Sequence, residues 1–307
     1  MRIVTLKDPY AGSITTDIAD GLYLGSAITA WTGTVSYAVG DIRYDAATRP
    51  NYVYKCKSAV THTTGTEPNP ISDSSRWDLI GTTDRDAEFD TLVNTKSRRV
   101  TSHTVTVDAS FSNYVTFHVI SATNITLTLA VAGVTVKTET FNLRVPVTTA
   151  DWYSYFDEDA TLRNQFKWEY PKYAASTLTV TMTTYVGSMV ECGFFRWGIS
   201  SSQFAKVQKG LSGSLKNYGT KGAVYAVDPG PSADNIRMSF WLLRAEVDNV
   251  KALFQRNAGI VALYDLEDDD SPSHLDSHVL LALCDDFTRV FDFKDFAKCS
   301  VSLLGVT

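Results

Sequence analysis

Cysteine is scarce in this chain, with four among 307 residues. Cys56, Cys192, Cys284 and Cys299 stand far apart, and no two form a Cys-x-x-Cys pair. That spacing excludes a dense disulfide framework and the paired ligands of a structural zinc site. It fits free, mostly buried thiols made in a reducing cytosol. Histidine is nearly as rare, with five residues at positions 62, 103, 118, 274 and 278. There is no Gly-x-Ser-x-Gly elbow, no His-Glu-x-x-His helix and no phosphate-binding Walker loop. Positive charge is in deficit: 28 Lys+Arg face 34 Asp+Glu, a formal net charge of −6. A sequence-independent nucleic-acid binder needs a basic face, so no nucleic-acid partner is expected. No apolar run approaches the ~20 residues of a bilayer span, and none follows Arg2 as a secretory signal requires. Neither a membrane span nor secretion is expected.

What the chain does have is β texture at ordinary globular composition, 44 % hydrophobic and 20 % charged. Val100 to Val107 alternates, with Val100, His103, Val105 and Val107 set against polar neighbours. Tyr114 to Ile120 follows. Asn124 to Val131 puts Ile125, Leu127, Leu129 and Val131 on one face and Thr126 and Thr128 on the other. Ala132-Gly133 turns the chain, and Val134 to Phe141 returns. Leu178 to Thr183 and Ser188 to Phe195 complete the set. Strict period 2 over such lengths predicts half-buried antiparallel strands, hence one β-sandwich over residues 96–197.

Helical signal is scarce and clearest at Ala245–Asn257, where Val247, Val250, Leu253 and Phe254 form one stripe and Gly259 offers a stop. Residues 84–93 predict a short helix or an ordered linker resting on Phe89, Leu92 and Val93. Residues 61–75 predict loop. After Gly198, strands are predicted at 207–215, 223–227, 236–243, 260–264, 278–284 and 298–304, with a tight turn at Asp228-Pro229-Gly230-Pro231. Strands, one helix, then strands again is an α+β arrangement.

Candidate chemistry is thin. His118 lies inside a strand and reads as a packed residue. His274, Asp276 and His278 adjoin the acidic run 265–270. This could be a hard-cation site, but without Asp-x-Asp-x-Asp-Gly spacing it reads better as a solvated hairpin loop. Gly210-Leu211-Ser212-Gly213 lacks the Lys-Ser/Thr of a phosphate loop and marks a bulge. Asp157, Glu158, Asp159 and Glu169, near Trp152 and Trp168, are acids that a glycan hydrolase could use. Such an enzyme needs two carboxylates ~5–9.5 Å apart, and nothing orders these into a pair. The aromatics Trp31, Tyr37, Tyr44, Tyr52, Tyr54 and Trp77 crowd together. Flat rings stack on sugars, yet a module this small also needs rings for its core.

Residues 30–81 resemble the small chitin-binding β module, carbohydrate-binding family 5/12. The residues that carry this are Ala30-Trp31, then Tyr37-Ala38-Val39-Gly40-Asp41-Ile42, Tyr52-Val53-Tyr54-Lys55-Cys56, Pro68 and Trp77-Asp78-Leu79-Ile80-Gly81. The family often carries a sugar-contacting aromatic after its Tyr-x-Cys strand, where this chain has Lys57-Ser58-Ala59. Such modules also recur on bacteriophage tail proteins. The resemblance implies Trp31, Tyr37, Tyr54 and Trp77 as candidate carbohydrate-binding residues. The sandwich is similar in texture to a galactose-binding jelly roll. From Met189 to Val306 the order of elements resembles the distal-tail and tail-tube family of tailed bacteriophages. The features are the exit strand Val190-Glu191-Cys192-Gly193, the helix 245–257 and the closing strand 298–306.

The expectation is therefore a mainly β chain. It comprises an arm or first sandwich strands (1–29), a small β module (30–82), a linker (83–95), a jelly-roll-like β-sandwich (96–197) and a tail-tube-like α+β domain (198–307). Its expected role is a structural component of a phage tail tip or baseplate, found in the virion tail and assembled in host cytoplasm. Other tail proteins and a homo-oligomeric ring are its expected partners, with no enzymatic activity, cofactor or metal. The alternative is an adhesin that binds host-surface glycan through the 30–82 module.

Overall fold

The computed structural model describes residues 2–60, 69–90, 95–144, 162–201, 235–257, 262–265, 279–290 and 296–305. The expectations for Pro68, Leu92, Val93, Trp152, the acids 157–159, the glycines 210 and 213, the strands at 207–215 and 223–227, and the histidines 62, 274 and 278 fall outside them. The chain is mainly β and divides into two compact units, residues 7–197 and residues 1–6 with 198–307.

In chain order, β1 is Arg2–Leu6 and β2 is Ile14–Thr16. The two-residue strands β3 (Leu22–Tyr23), β4 (Ser26–Ala27) and β5 (Thr29–Ala30) follow. Next come β6 (Ile42–Tyr44), β7 (Tyr52–Cys56) and β8 (Trp77–Thr82). The strands β5-β6-β7-β8 lie side by side in that order as the small module.

Eight longer strands build the sandwich. They are β9 (Ser97–Val100), β10 (Ser102–Asp108), β11 (Tyr114–Ser121), β12 (Asn124–Val131), β13 (Val134–Asn142), β14 (Gln165–Glu169), β15 (Ser176–Thr183) and β16 (Met189–Ser200). One sheet has the order β9-β16-β11-β14, the other β10-β15-β12-β13, with β2 added beside β10. Counting these eight strands along the chain gives 1-8-3-6 and 2-7-4-5, the strand order of a jelly roll.

Local sequence sets the corners. Thr101 adopts a φ of 69° between β9 and β10, where the chain leaves one sheet for the other. Ala132 and Gly133 both have positive φ, 49° and 82°. This pair closes the β12–β13 hairpin as a two-residue primed turn, with Val131 opposite Val134. Ile125, Leu127 and Leu129 are buried, together with Val105, Val107, Leu178, Val180, Phe117, Phe195 and Trp197, in one core shared by the two sheets. Phe117 and Phe195 stack at 4.8 Å with nearly parallel rings. On the other face of the second sheet, threonines pair across strands: Thr106 with Thr179 at 3.0 Å and Thr126 with Thr140 at 2.9 Å.

The smaller unit contains β1, the last residues of β16, β17 (Asn235–Leu243), helix α1 (Val247–Arg256), β18 (Ala262–Asp265), β19 (Val279–Val290) and β20 (Phe296–Gly305). Its sheet runs β16-β1-β18-β19-β20-β17. Helix α1 buries Val247, Val250 and Phe254, and Phe254 lies 5.0 Å from the ring of Phe287. Asp248 in the first turn and Arg256 in the last oppose the helix dipole.

The first 29 residues are neither one arm nor simply the first strands of the sandwich. Strand β2 edges the sandwich, whereas β1 is an interior strand of the smaller unit, between β16 and β18.

Candidate functional site

Three of the four candidate sugar-binding aromatics form the core of the small module. Tyr37 is 3 % exposed, Tyr54 6 % and Trp77 3 %. They pack with Cys56 and Val60, and Trp31 and Tyr52 rest half-buried against them. Tyr37 meets Trp77 edge to face at 5.2 Å. The Tyr37 hydroxyl donates to the Thr32 carbonyl and accepts from the Thr32 N–H, both at 2.8 Å, so its polar end is satisfied inside the protein. Arg43 covers the ring with its guanidinium 5.3 Å from the centroid. The rings of Tyr37, Tyr54 and Trp77 therefore present no open face for stacking, and Trp31 alone of the four keeps partial exposure.

The chain's polar density lies elsewhere, in the stretch Thr82–Asp90. From sequence this acidic segment reads as a linker. In the structure nearly every residue of it is buried, including Asp84, Asp86, Glu88 and Asp90. Each carboxylate has a distinct partner. Asp84 accepts from the N–H groups of Leu24 (2.8 Å) and Gly25 (2.7 Å), gripping the β3–β4 turn, where both residues have positive φ. Asp86 binds Arg49 at 3.0 Å and the Asn51 N–H at 2.7 Å. Asp90 accepts from the hydroxyls of Thr82 (2.6 Å) and Thr95 (2.7 Å). Glu88, fully buried at the 3-10 turn Ala87–Phe89, faces His103 of β10.

His103 is clamped from both sides. Nδ1 lies 2.8 Å from Asp17, and Nε2 lies 3.2 Å from Glu88. Burial by itself would lower the His103 pKa, but the charge of Glu88 and the hydrogen bonds to both carboxylates outweigh it and raise the pKa to about 9. Burial disfavours ionised Asp17, yet the bond from His103, the Thr104 N–H and the charge of Arg99 hold its carboxyl below the usual range.

Arg196 of β16 completes the cluster. It donates to the carbonyls of Glu88 (3.3 Å), Phe89 and Asp90 (2.9 Å), capping the turn, and lies over the Phe194 ring. Burial lowers its pKa to about 10, so it stays charged at neutral pH. Cys192 sits near Glu88, fully buried, and burial pushes its thiol well above the ordinary range, which leaves it inert. The cluster sets a His between two carboxylates and ties residues 17, 49, 84–90, 103 and 196 together through hydrogen bonds.

Sequence reasoning missed this cluster. Its members come from residues 17, 49, 84–90, 103 and 196, and none carries a short-range motif. The one local signal was the alternation of acidic with apolar residues in Asp84-Arg85-Asp86-Ala87-Glu88-Phe89-Asp90. His118, predicted as packed, is half-buried edge-on to Phe194 at 5.6 Å, and burial lowers its pKa to about 4. Of the candidate acids only Glu169 is described, exposed at the end of β14. Among the described residues no group of three or more His, Cys, Asp or Glu is arranged to hold a metal ion, and no helix is long and apolar enough to cross a membrane.

Compared with known proteins, the chain matches no family model, no curated protein and no solved structure.

Proposed function

We propose that this chain is a structural component of a bacteriophage tail tip or baseplate, which assembles into a ring or cap and presents the small β module on it. The carrying observation is the Asp84–Asp90 cluster. The groups that could do chemistry are hydrogen-bonded struts fixing the small module to the jelly roll, through Arg49, His103 and Arg196. Breaking one such buried pair leaves a charge stranded, so the joint between module and jelly roll is costly to open. The likeness of residues 30–81 and 189–306 to tail-associated modules supports the same reading. Among the described residues β13 and β17 are the outer strands of their sheets, and an outer edge is what a neighbouring subunit can use. Glycan adhesion through Tyr37, Tyr54 and Trp77 draws no support from rings packed as a core.

Light scattering over a concentration series, followed by electron microscopy of the largest species, tests this. A closed oligomer with ring-shaped particles is expected. A single-chain mass at every concentration, with no rings formed on isolated tail tubes, would overturn it.

A further inference from the structure

A cleft of about 170 Å³ opens in the larger unit among Tyr10, Gly12, Ile14, Arg49, Arg85 and Asp86. At about 30 Å³ per water it has room for roughly five water molecules, more than a bare carboxylate or phosphate fills. Two of its lining side chains, Arg49 and Arg85, converge on one atom of Asp20, a residue outside the lining. Asp20 Oδ1 receives Arg85 Nη1 at 2.6 Å, Arg49 Nη2 at 3.3 Å and Asn51 Nδ2 at 3.4 Å. The donors and the acceptor differ in how they are held. Arg49 is fixed from behind by Asp86, at 3.0 and 3.2 Å, and Asn51 is fixed through its own N–H to the same carboxylate. Asp20 lies in the irregular segment between β2 and β3, with 44 % of its side chain exposed. Two further donors, Arg85 Nε and the Tyr10 hydroxyl, are buried without an acceptor among the described residues.

The geometry points to a carboxylate-binding site that Asp20 occupies in place of an external ligand, and the ligand class we infer is an acidic monosaccharide, a hexuronate. Two donors held by Asp86 and a third from Arg85 surround one carboxylate oxygen of a half-exposed side chain, and together they form a cradle for any carboxylate that can displace it. Guanidinium groups take carboxylates with two parallel hydrogen bonds. Once Asp20 leaves, Arg85 is free to turn its Nε–Nη edge to the incoming group, giving the orphaned Nε an acceptor. The remaining volume, walled by Tyr10 and Ile14 with Gly12 leaving one side open, suits a sugar ring with its apolar face on the wall. This inference does not depend on the tail-component reading.

The test is calorimetric titration of the full chain with sodium glucuronate at fixed ionic strength, with glucose, acetate and inorganic phosphate as controls. Asp20→Ala and Asp20→Ser, at an exposed position, remove the internal competitor. Both are expected to bind glucuronate about tenfold more tightly than the unaltered chain, a shift of roughly 1.4 kcal/mol. Adding Arg85→Gln to Asp20→Ala is expected to abolish the gain. No glucuronate binding by either Asp20 variant, with melting temperature and circular dichroism unchanged, would overturn the site. Equal affinity for glucose, acetate or phosphate would overturn the hexuronate assignment.

Discussion

The Nε2 nitrogen of His103 lies 3.2 Å from both carboxylate oxygens of Glu88, and both residues are all but sealed from solvent. A buried imidazolium between Glu88 and Asp17 makes the stability of the larger unit depend on pH. The folded pKa, about 9, lies above the 6.5 of an ordinary imidazole. The contribution is therefore fully present below pH 6.5 and is lost as pH rises through about 9. At ~1.4 kcal/mol per pH unit it is on the order of a few kcal/mol. His118 acts on the other side. Its folded pKa is about 4, so the unfolded chain gains a proton first and stability falls as pH drops from 6.5 to 4. Denaturant melts at half-unit pH steps should show a crest near neutrality, and His103→Gln should flatten the alkaline limb while lowering the crest.

Arg196→Met should destabilise the larger unit by roughly 3 kcal/mol. The substitution leaves the carbonyls of Glu88, Phe89 and Asp90 facing an apolar side chain, and buried acceptors without donors are costly. Arg196→Lys should recover little, because an ammonium group cannot span three carbonyls as the guanidinium fork does. Urea titration of both variants checks this; full stability in the lysine variant would contradict it.

Trp77→Ala should cost about 3–5 kcal/mol by opening a cavity beside Tyr37 and Cys56. The loss should be local. Hydrogen exchange should accelerate in β6, β7 and β8 while the β12 and β15 amides keep their protection. Exchange unchanged in β6–β8 would mean that the ring is not a core element.

Gly198→Ala tests the smaller unit. A Cβ at this position would overlap the Thr5 carbonyl and crowd Leu6, so β1 and β16 cannot keep their register. A loss of about 2–3 kcal/mol is expected, read as a lower melting temperature.

How much of this was legible depended on how local the cause is. Strand β12 shows its bounds plainly, because Ile125, Leu127 and Leu129 alternate with threonines and Ala132-Gly133 supplies the positive φ that its hairpin needs. Helix α1 is equally readable from one apolar stripe. The Asp84–Asp90 segment is not, since four acids in a short run read as solvated until Arg49, His103 and Arg196 arrive from distant parts of the chain. Tyr37 and Trp77 fit both a sugar platform and a core on sequence grounds; only the packing of Tyr54, Cys56 and Val60 around them decides. Strand β1 is five residues long, and its partners Leu263 and Tyr264 lie some 260 positions away, beyond any periodicity argument.

That distance has a kinetic consequence. Residues 2–6 leave the ribosome long before either strand that flanks them, so both edges stay unfilled until residues 198–200 emerge and one stays unfilled until the strand 262–265 does. The jelly roll, complete by residue 200, can close meanwhile; the smaller sheet waits on a loop closure that spans nearly the whole chain, and such closures are slow. A competing strand offered during that interval, whether a free peptide or residues 2–6 of a second chain, would meet a vacancy that the finished fold no longer shows.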